Sequence, residues 1–244
     1  MPGMYDNVEG IVRRQMVLFF IIDTSGSMAG TKIGSVNTAI REVIPELMGI
    51  GGSDVDLKIA VLTFSSGFRW LYPVPIPVDT FQWNNLNADG STDLGSALKE
   101  LSAKMSKDAF LGAPSGSVAP AIFLMSDGEP TDDYFEGIET IKKNNWYKYA
   151  IRVAVAIGED ANIEELAKFT GNKEAVIRVH APEELKKWIR FISVTSSQIG
   201  SKSQPVQNNG QLVSKQDNMI EQMISFQQTD PGIASAASTS ADDW

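Results

Sequence analysis

The chain contains no cysteine, which excludes disulfides, thiolate nucleophiles and cysteine-held zinc. It has a single histidine, His180, in the apolar-alternating stretch "AVIRVHAP". A His-dependent catalytic triad or a His-rich metal site therefore has no material to be built from, and His180 is read as a strand-end or surface residue. Basic residues are also scarce: 21 Lys and Arg stand against 30 Asp and Glu, a formal charge of -9. Nucleic-acid affinity comes mainly from cations neutralising phosphates, so a nucleic-acid partner is excluded. Long apolar runs are missing as well. Arg13 and Arg14 precede the apolar run Met16 to Ile22 in the manner of a secretory leader, but Asp23 ends that run far short of the roughly 20 residues a bilayer span needs. The expectation is a cytoplasmic protein without a membrane partner.

What is present is an ordinary globular composition, 43% hydrophobic and 21% charged, with enough length for one large domain and a tail. Residues 1–13 are read as an N-terminal extension and 14–200 as the domain. Residues 201–244, rich in Ser, Gln, Asn, Thr and Ala, are read as a flexible tail. Within that tail Met219, Ile220, Met223 and Ile224 recur at helical spacing, with Phe226 just beyond. That is enough for a short amphipathic helix but not an independently stable one.

Continuous apolar runs at Met16–Ile22, Leu57–Phe64, Ala121–Met125 and Ala150–Ile157, with a shorter one at Val176–Val179, predict strands buried on both faces. Helical periods lie between them. The first carries Ile33, Val36, Ile40, Val43, Ile44 and Leu47, with Pro45 as an expected kink and "GIGG" as its close. Others carry Leu94 to Met105, then Phe135, Ile138 and Ile141, then Ile163, Leu166 and Ala167, and finally Leu185 to Ile192 behind Pro182. Strands alternating with helices predict an α/β fold: a doubly wound, mostly parallel sheet with helices on both faces. "FRWLYPVPIPV", with its alternating prolines, fits one antiparallel edge strand leading into a loop.

In such a sheet, ligands bind beyond the carboxyl ends of the strands, where strand order reverses. Asp23 ends one buried strand and Asp127 ends another. Ser25 and Ser27 follow Asp23 at alternate positions in "IDTSGSMAG", and Thr92 in "ADGSTDLGSAL" precedes a helix. Asp23, Ser25, Ser27, Thr92 and Asp127 are all hard oxygen donors, which suits Mg²⁺, with Mn²⁺ or Ca²⁺ as substitutes. Two carboxylates among neutral hydroxyls leave the ion short of negative charge, so an acidic side chain of a protein partner is the expected further ligand. The bland alternative is that Asp23 and the serines only cap the helix that follows. The ordered set, triplet then threonine then "SDG", favours the metal.

"FFIIDTSGSMAG", "ADGSTDLGSAL" and "FLMSDGEPTDD" together resemble the metal-ion-dependent adhesion site of von Willebrand factor A domains, over about residues 14 to 200. The resemblance implies a Rossmann-like fold and a divalent ion at the same five positions. Within that family "VNTAI", "STDLGSAL" and "SDGEPTDD" are similar to the bacterial TerY-like, tellurite-resistance-associated branch. That branch implies a stress-response or signalling adaptor working with protein kinase-like and metal-dependent phosphatase proteins. Ser91 stands where many relatives have a second glycine, and the cysteine-rich extension of some relatives cannot form here.

The competing class is an enzyme, a Mg²⁺-dependent phosphotransferase of haloacid-dehalogenase-like type with Asp23 as nucleophile. Such enzymes need a second acid two residues later, where this chain has Ser25, and a hydroxyl cannot act as a general acid near neutral pH. No phosphate-cradling P-loop is present. The expectation is therefore a non-enzymatic interaction module. Asp93, Glu129, Asp132 and Asp133 are read as acids at helix starts, and Phe68, Trp70, Tyr72, Phe81 and Trp83 as a packed edge.

Overall fold

The computed structural model describes residues 13–48, 55–113, 116–201, 206–208, 211–230 and 233. The expected extension, apart from residue 13, the "GIGG" helix close and residues 202–205, 209–210, 231–232 and 234–244 of the expected tail lie outside the described residues.

In chain order the elements are β1 (Arg14–Asp23), a 3-10 turn (Gly26–Met28), α1 (Thr31–Leu47), β2 (Val55–Ser65), β3 (Gly67–Trp70), β4 (Ile76–Pro77) and α2 (Leu94–Lys104). Next come β5 (Ala121–Ser126), α3 (Tyr134–Lys143), α4 (Asn145–Tyr149), β6 (Ile151–Ile157), α5 (Ile163–Thr170), a second 3-10 turn (Lys173–Ala175) and β7 (Val176–Val179). The chain continues through α6 (Pro182–Ser201), β8 (Val206–Asn208), β9 (Gln211–Val213) and α7 (Lys215–Thr229).

The main sheet runs β3-β2-β1-β5-β6-β7, with β4 also on β2. Every pairing along β2-β1-β5-β6-β7 is parallel, as crossover helices require, and only β3 and β4 are antiparallel. The proline-rich segment thus forms two short strands in line along one edge, where a proline's missing N–H is tolerated.

β1 shows why both faces are covered. Its alternate residues Met16, Leu18, Phe20 and Ile22 enter one core with α1, α6 and α7. Val17, Phe19 and Ile21 enter the other with α2, α3 and α5. With a period of two, a continuous apolar run is what a strand between two helix layers demands. Each such side chain contributes about 1.5–3 kcal/mol by leaving water. α1 runs through Pro45 and ends two residues later.

Three local readings change. In α3 the buried face is Tyr134, Gly137, Ile138 and Ile141, while Phe135 is 76% exposed. Ile138 and Ile141 are buried as expected, and only the first position shifts, from Phe135 to Tyr134, whose hydroxyl donates to the Glu165 carbonyl. α4 is an additional turn capped by the Asn144 side chain, which accepts from the Trp146 and Tyr147 amides.

The third change concerns the expected flexible tail, in which residues 215–229 pack onto the domain. Met219, Ile220 and Met223 are buried, and Phe226 stacks on Phe191 at 4.1 Å and meets Trp188 edge-on at 5.2 Å. Ile224, assigned to the apolar face by spacing, is 37% exposed. The helix is too short to stand alone, and α6 with β6 supplies the surface that holds it.

Candidate metal centre

Strand order reverses between β1 and β5, which lie side by side with Ile22 opposite Met125. The crevice at that reversal is flanked by the last residue of β1, Asp23, and the residue after β5, Asp127. Asp23 is fully buried. One of its oxygens accepts from the Ser25 amide at 2.8 Å and the other from the Ser126 hydroxyl at 2.6 Å. Burial pushes its pKa above the ordinary carboxylate value; the bonds from Ser126 and Ser25 oppose the rise, and the negative charge of Asp127 adds to it.

After β1 the chain enters the 3-10 turn at Gly26–Met28, bringing the Ser25 and Ser27 hydroxyls to 3.0 Å. Ser25 is buried and Ser27 exposed, so this pair connects the crevice floor with solvent. The loop bearing Thr92 is fastened on top. The Asp89 amide donates to the Thr24 carbonyl at 2.8 Å, and the Gly26 amide to the Gly90 carbonyl at 2.9 Å. Gly90 holds φ at +89, and a Cβ there would lie 2.6 Å from the Ser66 hydroxyl, so only glycine lets this loop settle. Thr92 is buried; its amide donates to the Thr131 hydroxyl and its carbonyl accepts from the Thr131 amide, both at 2.9 Å.

Direct bonds thus link Asp23, Ser25 and Ser27, strand register sets Asp127 beside Asp23, and the loop bearing Thr92 is tied to Thr24 and Gly26. Asp127 is buried, with one carboxylate oxygen 3.3 Å from the Lys32 ammonium. Its other oxygen has no hydrogen-bond partner. Among the described residues four buried side-chain polar atoms share that condition, and this is the one belonging to a carboxylate.

No group of three or more His, Cys, Asp or Glu side chains suited to a metal occurs among the described residues. The candidate is instead a set of two carboxylates and three hydroxyls. Such all-oxygen donors fit a hard divalent cation, and the unpartnered Asp127 oxygen is the group such an ion would satisfy.

The neighbouring acids are held in structural hydrogen bonds, and two of them, Asp132 and Asp133, bond amides at helix starts. Asp133 accepts from the Glu136 amide, and Asp93 from the Gly67 amide and the Ser91 hydroxyl. Asp132 reaches 37 residues back in sequence to accept from the Gly95 and Ser96 amides at the start of α2. Glu129 accepts from the Asn162 side chain. The aromatic segment is a packed edge in which Trp70 meets Phe19 and Phe110 and Tyr72 meets Phe81, with Phe68 46% exposed. His180 pairs with Glu159 at 2.5 Å, beyond the end of β7. Sequence reasoning passed over Ser126, a polar residue at the end of an apolar strand, and Lys32, an unremarkable charge in the first turn of α1.

The family model of the von Willebrand factor type A domain matches residues 18–190. The chain belongs to that family. Members of the vWA family mediate protein–protein interactions. Among curated proteins the vWA chain is similar to inter-alpha-trypsin inhibitor heavy chain H4 of Bos taurus, 29% identical over 124 residues, 47% of this chain and 13% of that protein. It is also similar to the human collagen alpha-6(VI) chain, 24% identical over 179 residues, 70% of this chain and 7% of that one. The match therefore covers only a small part of those proteins.

Three solved structures share the vWA fold. A von Willebrand factor type A protein from Catenulispora acidiphila is 23% identical with a TM-score of 0.56, over 75% of this chain and 43% of that one. Mussel byssus proximal thread matrix protein 1, with a zinc-occupied MIDAS motif, is 17% identical at TM-score 0.55, over 75% and 48%. The manganese-loaded TRAP protein of Plasmodium vivax is 16% identical at TM-score 0.51, over 72% of each chain. Among the described residues no helix is long and apolar enough to cross a membrane.

Proposed function

We propose that this vWA chain is a non-enzymatic, metal-dependent protein-interaction module. Asp23, Ser25, Ser27, Thr92 and Asp127 would hold Mg²⁺, or Mn²⁺ or Ca²⁺ in its place, and a partner's carboxylate would complete the site. The carrying observation is the buried Asp127 oxygen without a partner, set beside a second buried carboxylate and three hydroxyls. Leaving such an oxygen desolvated and unpaired costs about 1–3 kcal/mol or more, which a cation at this position removes. The similar mussel and Plasmodium proteins, which carry zinc and manganese, agree with a divalent ion in this fold. The bound ion supplies a Lewis-acid attachment point for a carboxylate, while exposed Ser27 leaves the crevice open to solvent.

Asp23 is poorly placed as a nucleophile for the phosphotransferase alternative. Its 0% exposure leaves no approach for a phosphoryl donor, while each oxygen, bonded once by Ser25 or Ser126, keeps a lone pair toward a small ion. Ser25, where a general acid is needed, supplies only a hydroxyl. The motif resemblance further supports a bacterial, cytoplasmic stress-response or signalling adaptor of TerY-like type, with kinase-like and metal-dependent phosphatase partners. The recognition domain is taken as residues 14–200, with α7 as an accessory that docks on it.

Titration calorimetry of the purified chain with MgCl₂ and MnCl₂ is expected to show one divalent site, and absence of heat with both ions overturns the metal. Phosphatase and nucleotide-hydrolysis assays are expected to give nothing above an Asp23→Ala background. Metal-dependent turnover lost in that variant would establish the enzyme instead.

A further inference from the structure

Lys32 lies in the first turn of α1 with its side chain only 17% exposed. Its ammonium bridges two acids, 3.3 Å from the Asp127 oxygen opposite the unpartnered one and 2.8 Å from Asp160. Asp160 sits on the loop after β6, with a side chain 69% exposed. The path of the lysine is kept clear by Gly158, where φ is +93. A Cβ there would stand 2.7 Å from the Lys32 side-chain carbon Cε and 2.8 Å from an Asp160 oxygen. A residue with any side chain at 158 would push the lysine off this berth. Three elements thus cooperate to bring one positive charge to the edge of a crevice that contains two buried carboxylates.

We infer that Lys32 is the resident counter-cation of the crevice, a positioning residue that neutralises Asp127 in the metal-free protein and moves onto Asp160 alone when a divalent ion is held. The inference rests on the metal reading proposed above. Its physical content is a competition. Asp23 and Asp127 without any cation would be two buried negative charges in one crevice, a costly state. Lys32 relieves it while leaving the second Asp127 oxygen unsatisfied. The same charge opposes a divalent ion by repulsion, so Lys32 keeps affinity low and binding reversible. Asp160 gives the ammonium a second, nearer carboxylate to hold when Asp127 is engaged elsewhere.

The test is a double-mutant cycle read by calorimetry with MgCl₂ and by thermal melting in EDTA. Lys32→Met is expected to bind Mg²⁺ about tenfold more tightly than wild type, the size of a partly screened charge repulsion. It is also expected to melt at a lower temperature in EDTA and to recover when Mg²⁺ is added. Lys32→Gln is the second variant, should Lys32→Met not fold, and is expected to move in the same direction. Lys32→Arg, which keeps the charge, is expected to stay within about threefold of wild type. Asp160→Asn is expected to weaken binding about threefold, and to have no effect once Lys32 is Met.

Lys32→Met binding Mg²⁺ no more tightly than wild type overturns the role of Lys32, because loss of a merely structural contact loosens a site. Asp160→Asn weakening both backgrounds equally also overturns it, since that is the signature of general charge. Absence of heat in wild type and Lys32→Met alike removes the metal reading itself, and this inference with it.

Discussion

Arg152 on β6 and Asp127 after β5 pose the same physical problem, a polar group at the sheet with no neighbouring strand to satisfy it. β7 joins β6 only from Ala154 onward, leaving the Arg152 backbone without a ladder partner on that side. For that peptide group the fold supplies both partners, although the Arg152 side-chain Nε itself stays without one. The Gln216 side-chain amide, carried in on α7, accepts from the Arg152 N–H at 2.8 Å and donates to its carbonyl at 2.9 Å, standing in for a strand. At Asp127 the fold stops halfway, with Lys32 on one oxygen and nothing on the other. A protein that recruits a distant helix to satisfy one peptide group has the means to satisfy a carboxylate. The half-solved position, on a buried carboxylate, supports the metal site proposed above.

The largest effect that would sharpen this contrast is at the crevice. Asp23→Ala is expected to weaken Mg²⁺ binding about hundredfold or more, with an unchanged circular dichroism spectrum. A variant that binds as wild type does would erase the distinction between the two regions. On the satisfied side, Gln216→Leu strands two backbone groups and is expected to lower unfolding stability by about 2 kcal/mol in denaturant titration. Its Mg²⁺ affinity should stay within about twofold of wild type. An equal loss of metal affinity would mean that the two regions are coupled.

A smaller effect is expected at Tyr147, whose hydroxyl donates to the Phe169 carbonyl and whose pKa is pushed up to about 12 by burial, against the pull of Arg152. Its neutral form is favoured by folding, so this contribution is intact below pH about 10, the usual tyrosine value, and is lost as pH rises through about 12. Tyr147→Phe should cost about 1 kcal/mol at neutral pH and flatten the alkaline side of the stability curve. The smallest change is expected for Phe135→Ser. With its ring 76% exposed, melting should place it within about 0.5 kcal/mol of wild type. A larger loss would mean that this ring belongs to the core after all.

Much of the sheet was legible because its signal is local. The run from Met16 to Ile22 is apolar at every position, and only a strand covered on both faces buries such a run entirely. The two candidate carboxylate donors stand out for a related reason: Asp23 and Asp127 interrupt buried strands at their ends, where a charge needs a purpose. Lys32 carried no such signal. One lysine in a helix's first turn reads like any solvated charge until β6 and its loop bring Asp160 and Gly158 beside it. Phe135 was misplaced because Tyr134 and Phe135 are equally apolar by pattern, and the choice between them fell to a hydrogen bond with Glu165 on another helix.

Residues near in sequence thus determined the strands, most of the helices and the choice of candidate oxygen donors, because periodicity and strand-end chemistry act within a few positions. Contacts across the chain decided the rest. They set the reversal of strand order that places Asp23 beside Asp127, the cap that Asp132 lends to α2, the berth of Lys32, and the docking of α7 against Trp188 and Phe191. Each depends on a partner dozens of residues away, and neither spacing nor propensity encodes where the fold will put that partner.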